Sequence, residues 1–224
     1  MDSARGTSPG SRSFHWSECA ERLRELDRLE SLTLEPKGRW FENSTHRLVP
    51  PLTCPAPQAG DSALDYLARL PHPEDPLGEH LVILMQAGAV SLGRFSHGIA
   101  LATRSFKRYV VRGKGRAQTT HLATRGKSRY GSRLRLQNAK ALLEETNEKL
   151  RDWEAEFGPH DRLFTQVTLR LWPELFEVDP PPPFPKDVER TPIPRDLPRP
   201  TTELLLRVTK GLQYGRIEWA APRP

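Results

Sequence analysis

Residues 81–95, Leu-Val-Ile-Leu-Met-Gln-Ala-Gly-Ala-Val-Ser-Leu-Gly-Arg-Phe, decide the fold class. Leu81–Met85 is the longest apolar run in the chain, five residues where a membrane span needs about 20. A run of that length beside turn residues reads as a buried strand. Ala87-Gly-Ala89 is a turn, and Val90–Phe95 is the hairpin partner. Ile99–Thr103 and Phe106–Val111 continue as strand segments, and Leu163–Trp172, with Phe164, Val167, Leu169 and Leu171, reads as another strand. Between them Ser132 caps a helix running to about Phe157. Its apolar stripe is Leu136, Leu143, Leu150 and Phe157, spaced by sevens, with Ala139, Thr146 and Trp153 between. Glu144, Glu145, Glu148 and Lys149 face water, so the stripe is core. Thr201 caps a last helix, Glu203–Lys210, stopped by Gly211. Strands and helices in this order predict an α/β (α+β) domain, a single mixed β-sheet layered with helices.

The flanks are less regular. Residues 1–13 are rich in Ser, Gly and Arg and read as a disordered tail. Trp16, Cys19, Leu23, Leu26, Leu29 and Leu32 recur at three- and four-residue steps, which predicts an amphipathic helix over 14–32 packed on the core. Residues 33–60 carry Pro36, Pro50, Pro51, Pro55 and Pro57 and read as irregular, followed by a short helix capped by Asp61. Residues 173–200 hold ten prolines and read as a rigid connector. The expected organisation is a tail at 1–13, a helix with an irregular extension at 14–77, the main domain at 78–217, and a tail at 218–224.

The chain has 224 residues, 34 Lys or Arg, 28 Asp or Glu, and a net charge of +6. The charge is segregated: residues 80–143 contain no acid and 13 cations. Such a block repels itself unless an anion binds there. Between Arg112 and Ser132 the cations are mixed with Gly, Ser, Thr and Gln, a composition that suits a loop (112–131) meeting a phosphate backbone. Walker, GxSxG and His-rich metal patterns are absent, and no acidic pair lies near the block to hold two metals. No metal or cofactor is expected. Cys19 and Cys54 are too few for a disulfide framework and read as inert. The N-terminus has no apolar signal segment and a cytoplasmic location is the expectation; a monomer is expected as well.

Inside the block, Gly115-Arg-Ala-Gln118 follows a strand. A glutamine amide is no general base at neutral pH, but it donates and accepts hydrogen bonds and so orients a water or a ribose hydroxyl. Gly113 and Gly115 allow close backbone approach. Lys114 and Arg116 hold phosphates and offset developing negative charge. The substrate that suits this set is the 3′ end of an RNA carrying an ester. His121 lies three residues beyond Gln118 and reads as a plain loop histidine or an assisting acid or base.

Three stretches, RYVVRGKGRAQ (108–118), GSRLRLQNAKAL (131–142) and PRDLPRPTTELLLRV (194–208), resemble the catalytic domain of the Vms-type release-factor-like family. That family includes the ankyrin-repeat and zinc-finger peptidyl-tRNA hydrolase of ribosome quality control. Four motifs fall in the family's order: Arg-Tyr-x-Val-Arg at 108–112, Gly-x-x-Gln at 115–118, the helix start from Gly131 to Asn138, and Arg-Pro-Thr at 199–201. The resemblance covers about residues 78–217.

The resemblance implies a fold like the middle domain of class I eukaryotic and archaeal release factors. It implies release of nascent chains from peptidyl-tRNA on stalled large ribosomal subunits, with cleavage in the tRNA near its CCA end. Carried over, Gln118 is the catalytic glutamine, with Gly113, Gly115 and Ala117 shaping its loop. Arg112, Lys114, Arg116, Arg125, Lys127, Arg129, Arg133 and Arg135 are the expected RNA contacts. Tyr109, as strand packing, and Asn138 are expected to support the loop. The expected partners are peptidyl-tRNA and large-subunit RNA, not DNA or a membrane.

The sequence also departs from the family. Pro198 stands where many members have Arg, Thr119–Tyr130 is its own, and the eukaryotic zinc finger and ankyrin repeats have no counterpart here. Two chemistries remain open: water attacking the peptidyl ester, or a ribose 2′-hydroxyl attacking the neighbouring phosphate. A non-catalytic RNA-binding module occupying the ribosomal A site is the alternative of a different class.

Overall fold

The computed structural model describes residues 10–75, 77–110 and 127–219, with only the backbone for 127–132. In chain order the elements are β1 (Gly10–His15), a 3-10 turn (Trp16–Glu18), α1 (Cys19–Leu29), β2 (Thr33–Leu34), β3 (Phe41–Glu42), β4 (His46–Val49) and α2 (Ala63–Leu67). There follow β5 (Glu79–Gln86), β6 (Ala89–Ser96), β7 (Ile99–Lys107), α3 (Lys127–Phe157), β8 (Arg162–Val167), α4 (Leu171–Glu174), β9 (Thr191–Pro192), α5 (Thr202–Leu212) and β10 (Tyr214–Trp219). The described residues form two compact units, one within Met1–Leu77 and Val208–Pro224, the other within Gly78–Arg207. The fold is α+β with two five-stranded sheets, where the sequence predicts one.

In the first unit the antiparallel strand order is β1-β10-β4-β3-β2. α1 buries Cys19, Leu23 and Leu26 in a cluster with Phe14, Phe41, Leu48 and Tyr66. The helix expected over 14–32 therefore starts later, because Gly10–His15 pairs with Tyr214–Trp219 as a strand. Residues 10–13, expected in the tail, belong to that strand, and residues 1–9 lie outside the described residues. Leu29 is 74% exposed and falls off the buried face. Ser62, not Asp61, caps α2: its Oγ accepts from Asp65 N at 3.1 Å, and Asp65 Oδ2 accepts from Ser62 N at 3.0 Å. The stretch 33–60 holds three strands of two to four residues, too short to show an alternation.

In the second unit the strand order is β7-β6-β5-β8-β9. β5, β6 and β7 form an antiparallel meander, and β8 runs parallel to β5. β5 is central, and Leu81–Met85 is buried on both faces. β7 is one strand through Lys107 where the sequence suggests two segments; residues 108–110 are outside it.

α3 crosses between β7 and β8 and buries Leu142, Leu143, Leu150 and Trp153 against the sheet. It begins at Lys127, so residues 127–131 of the expected loop are helical, as is Ser132, the expected cap. The predicted stripe is core from Leu143 onward, but Leu136 is 69% exposed. No residue from 133 to 141 is buried, so the helix leaves the core at its N-terminal end.

The proline segment is packed rather than a bare connector. Trp172, Leu175 and Phe184 enter the core, and Asn147 Nδ2 donates to the carbonyls of Leu175 (2.7 Å) and Pro180 (2.9 Å). β9 pairs with β8. β8 ends at Val167, and Leu169 is 88% exposed, so the predicted strand to Trp172 is cut short by α4. Thr201 does cap α5, its Oγ1 accepting from Leu204 N at 3.1 Å. The helix runs through Gly211 to Leu212, and residues 208–219, expected in the main domain or the tail, group with the first unit.

Candidate functional site

The site is the root from which the basic segment leaves the sheet. β7 ends at Lys107, and Arg108, Tyr109 and Val110 lead outward; the chain returns at the N-terminus of α3. Two sides hold this exit. On the first, α3 contributes Asn138, whose Nδ2 donates to the Tyr109 carbonyl at 2.8 Å. It also contributes Glu145, whose Oε2 accepts from Arg108 Nη2 at 3.0 Å and Nε at 3.3 Å. The Arg108–Glu145 side chains are 38% and 34% exposed, so the pair contributes at most about 1 kcal/mol of stability. Its effect is on where the strand end points.

On the second side stands the β5–β6 turn. Gly88 has φ +80, and a Cβ there would lie 2.5 Å from Val110 Cγ2 and 2.7 Å from the Arg108 carbonyl. Glycine is required both for the left-handed backbone and for this approach. The Gly88 carbonyl accepts two hydrogen bonds, from Arg108 N and from Arg199 Nη2, each at 3.0 Å. Gln86 Nε2 donates to the Leu197 carbonyl at 2.7 Å and tilts toward that of Pro198 at 3.4 Å. Residues 197–202 form a strap: beyond Arg199 it continues to Thr202, whose Oγ1 is 2.8 Å from Ser105 Oγ on β7; Ser105 Oγ is also 2.8 Å from Ser91 Oγ on β6.

The predicted site residues divide accordingly. Arg112, Gly113, Lys114, Gly115, Arg116, Ala117, Gln118 and Arg125 lie outside the described residues, as does His121. Lys127 and Arg129 are on the first turn of α3. Arg133 and Arg135 lie where α3 carries no buried residue, Arg133 exposed and Arg135 half-buried. Asn138 lies against the backbone of Tyr109. Tyr109 differs from expectation: it lies past the end of β7 and is 55% exposed, and its carbonyl accepts from Asn138. Residue-type reasoning does not reveal Gln86, Gly88 and Glu145. Gly88 is visible as a turn glycine, but nothing local shows which strand end its carbonyl receives.

The motifs at 108–112, 131–138 and 199–201 thus meet at one place through Arg108, Asn138 and Arg199. Residues 80–219 match the family model described as the Bacteroidetes VLRF1 release factor, more than half of the chain. The chain belongs to this release-factor family. The motif resemblance in the sequence and the family model agree on a Vms-type release-factor-like group. The family places the protein in translation, with the ribosome as the implied partner. A solved structure described as the Vms1 mitochondrial localization core is similar at 14% identity and a TM-score of 0.46, over 88% of this chain and 80% of that one. No curated protein matches the sequence. The matched region contains the whole root and the segment it carries, together with α5 and β10.

Proposed function

We propose that this protein is a cytoplasmic ribosome-rescue factor that frees nascent chains from peptidyl-tRNA held on stalled large ribosomal subunits. One observation carries the reading: a release-factor-family region carries a cationic Gly-x-x-Gln segment whose entry is tied by Asn138, Glu145 and the Gly88 turn. Those ties act on the backbone that leads into the segment. In this reading Gln118 orients the attacking oxygen, and Gly113, Gly115 and Ala117 let the backbone approach it. Arg112, Lys114, Arg116, Arg125, Lys127, Arg129, Arg133 and Arg135 bind RNA phosphates.

The bond broken is a tRNA phosphodiester near the CCA end. The ribose 2′-oxygen attacks the adjacent phosphorus and its proton leaves to solvent. The 5′-oxygen of the following nucleotide departs and is protonated, leaving a 2′,3′-cyclic phosphate. The nearby cations stabilise the charge on phosphorus.

The test uses a stalled large-subunit complex with labelled peptidyl-tRNA, comparing the wild type with Gln118→Ala and reading RNA products at nucleotide resolution. Peptide release with a tRNA shortened at its 3′ end, lost in Gln118→Ala while binding persists, is expected. Release with intact tRNA transfers the chemistry to the ester. Binding with no release by either protein leaves a non-catalytic module in the A site.

A further inference from the structure

We infer that Arg199 is a positioning residue for the basic segment, acting through the Gly88 carbonyl on the exit of β7. This rests on the release reading above, and it concerns a side chain whose described partner is the Gly88 carbonyl.

The argument starts from one acceptor. A carbonyl oxygen has two lone pairs, and at Gly88 both are used: one by the amide of Arg108, the other by the Arg199 guanidinium. Arg199 comes from the proline segment, held against the same hairpin by Gln86, whose amide donates to the Leu197 carbonyl. The prolines at 198 and 200 leave the strap with few backbone donors, so side chains make its ties. Gly88 in turn touches the exit directly, since any Cβ on it would collide with Val110 and with the Arg108 carbonyl. A shift of the turn therefore moves Arg108–Val110. Strap, turn and exit form one chain of contacts, with Arg199 as the link between strap and turn.

The direction of Arg108 matters because Gln118 is only eight residues beyond Val110. A displacement of about 1 Å in a reacting group lowers a rate on the order of 10²-fold. Because the described contact of Arg199 is to the main chain of the turn, its loss is expected to act on kcat and to spare binding. A guanidinium reaching one carbonyl is replaced in part by an ammonium, which donates to the same oxygen without the planar fork. A Lys at this position restores much of the effect, and Ala or Met does not.

The experiment measures release from the stalled complex, ribosome-complex affinity, and amide hydrogen exchange of Arg108 for wild type, Arg199→Ala, Arg199→Met and Arg199→Lys. Arg170→Ala serves as the surface control, since its side chain is 88% exposed and pairs with Glu174. The expected result is a kcat about 10- to 100-fold lower in Ala and Met. KM and affinity stay within about 2-fold, Arg108 exchanges faster, and Lys recovers most of both. The inference is overturned if Ala and Met release at the wild-type rate, if kcat and affinity fall together in proportion to a lowered melting temperature, or if Arg108 exchange is unchanged. A wild type that releases nothing sinks the release reading alone. The exchange measurement then still decides the tie: faster Arg108 exchange in Ala and Met but not Lys upholds it, and no change overturns it.

Discussion

Asn138 Nδ2 and the Tyr109 carbonyl lie 2.8 Å apart, across 29 residues of chain that include the whole Gly-x-x-Gln segment. A helix side chain thus holds the backbone just beyond β7, ahead of that segment, and does so through the main chain. The identity of residue 109 matters less to this contact than the identity of residue 138.

Asn138→Ala therefore leaves a carbonyl without its donor. The expected stability loss is about 1 kcal/mol, or a few degrees in melting temperature. Release falls more than stability does. Asn138→Asp is the more severe variant, because it sets a carboxylate against a carbonyl oxygen. Tyr109→Phe keeps the contact and retains activity. Thermal melts alongside single-turnover release measure both effects, and equal damage from Asp and Ala would remove the hydrogen bond from the account.

Arg133 and Arg135 sit on the part of α3 that carries no buried residue. Replacing both by Gln should cost little stability, roughly 0.5 kcal/mol or less. Binding to large-subunit RNA should weaken, and the slope of log affinity against log salt should become shallower by roughly 1 to 2. Titrations between about 50 and 200 mM salt test this. An unchanged slope would assign the two arginines to solvent.

His160 titrates against its surroundings. Burial first, and then the Arg94 guanidinium, hold its imidazole below the ordinary value of 6.5, with Asp161 opposing and the Phe184 ring edge-on at 5.7 Å. Arg94 is itself buried, donating to the carbonyls of Gly158 (3.1 Å) and Pro159 (2.6 Å). The unfolded chain binds the proton more readily than the folded one. The neutral histidine therefore contributes stability above pH 6.5, and this is lost as pH falls through the folded value. Urea midpoints should drop between pH 7.5 and 5.5, and His160→Gln should reduce that drop. Parallel pH curves for the two proteins would contradict the assignment.

Cys19 and Cys54 are buried thiols, 1% and 2% exposed. A hydrogen bond with the Cys54 thiol, together with burial, pushes the Cys19 thiol up, away from the reactive thiolate. Labelling by an aromatic disulfide reagent should follow unfolding, on the order of 10²-fold slower in the native protein than in urea. Rapid native labelling at Cys19 would show that α1 opens locally.

The sequence by itself determined the second unit's centre and its family. Leu81–Met85 is apolar at every position between turn residues, which suits a strand covered on both faces. The alternation around it and the buried half of α3 follow from side-chain period, which is local. The acid-free stretch 80–143 and the four ordered motifs are also local, and they point to the release-factor family. What only the tertiary structure decided depends on partners distant in the chain. Gly10–His15 is a strand because Tyr214–Trp219 lies beside it, and two-residue strands such as Phe41–Glu42 carry no period of their own. The stripe at Leu136 has the right spacing but no sheet beneath it, since period says which face a residue shares and not what covers that face. Likewise Arg199, Gly88 and Arg108 become one assembly only when hairpin, strap and strand end converge on a single carbonyl.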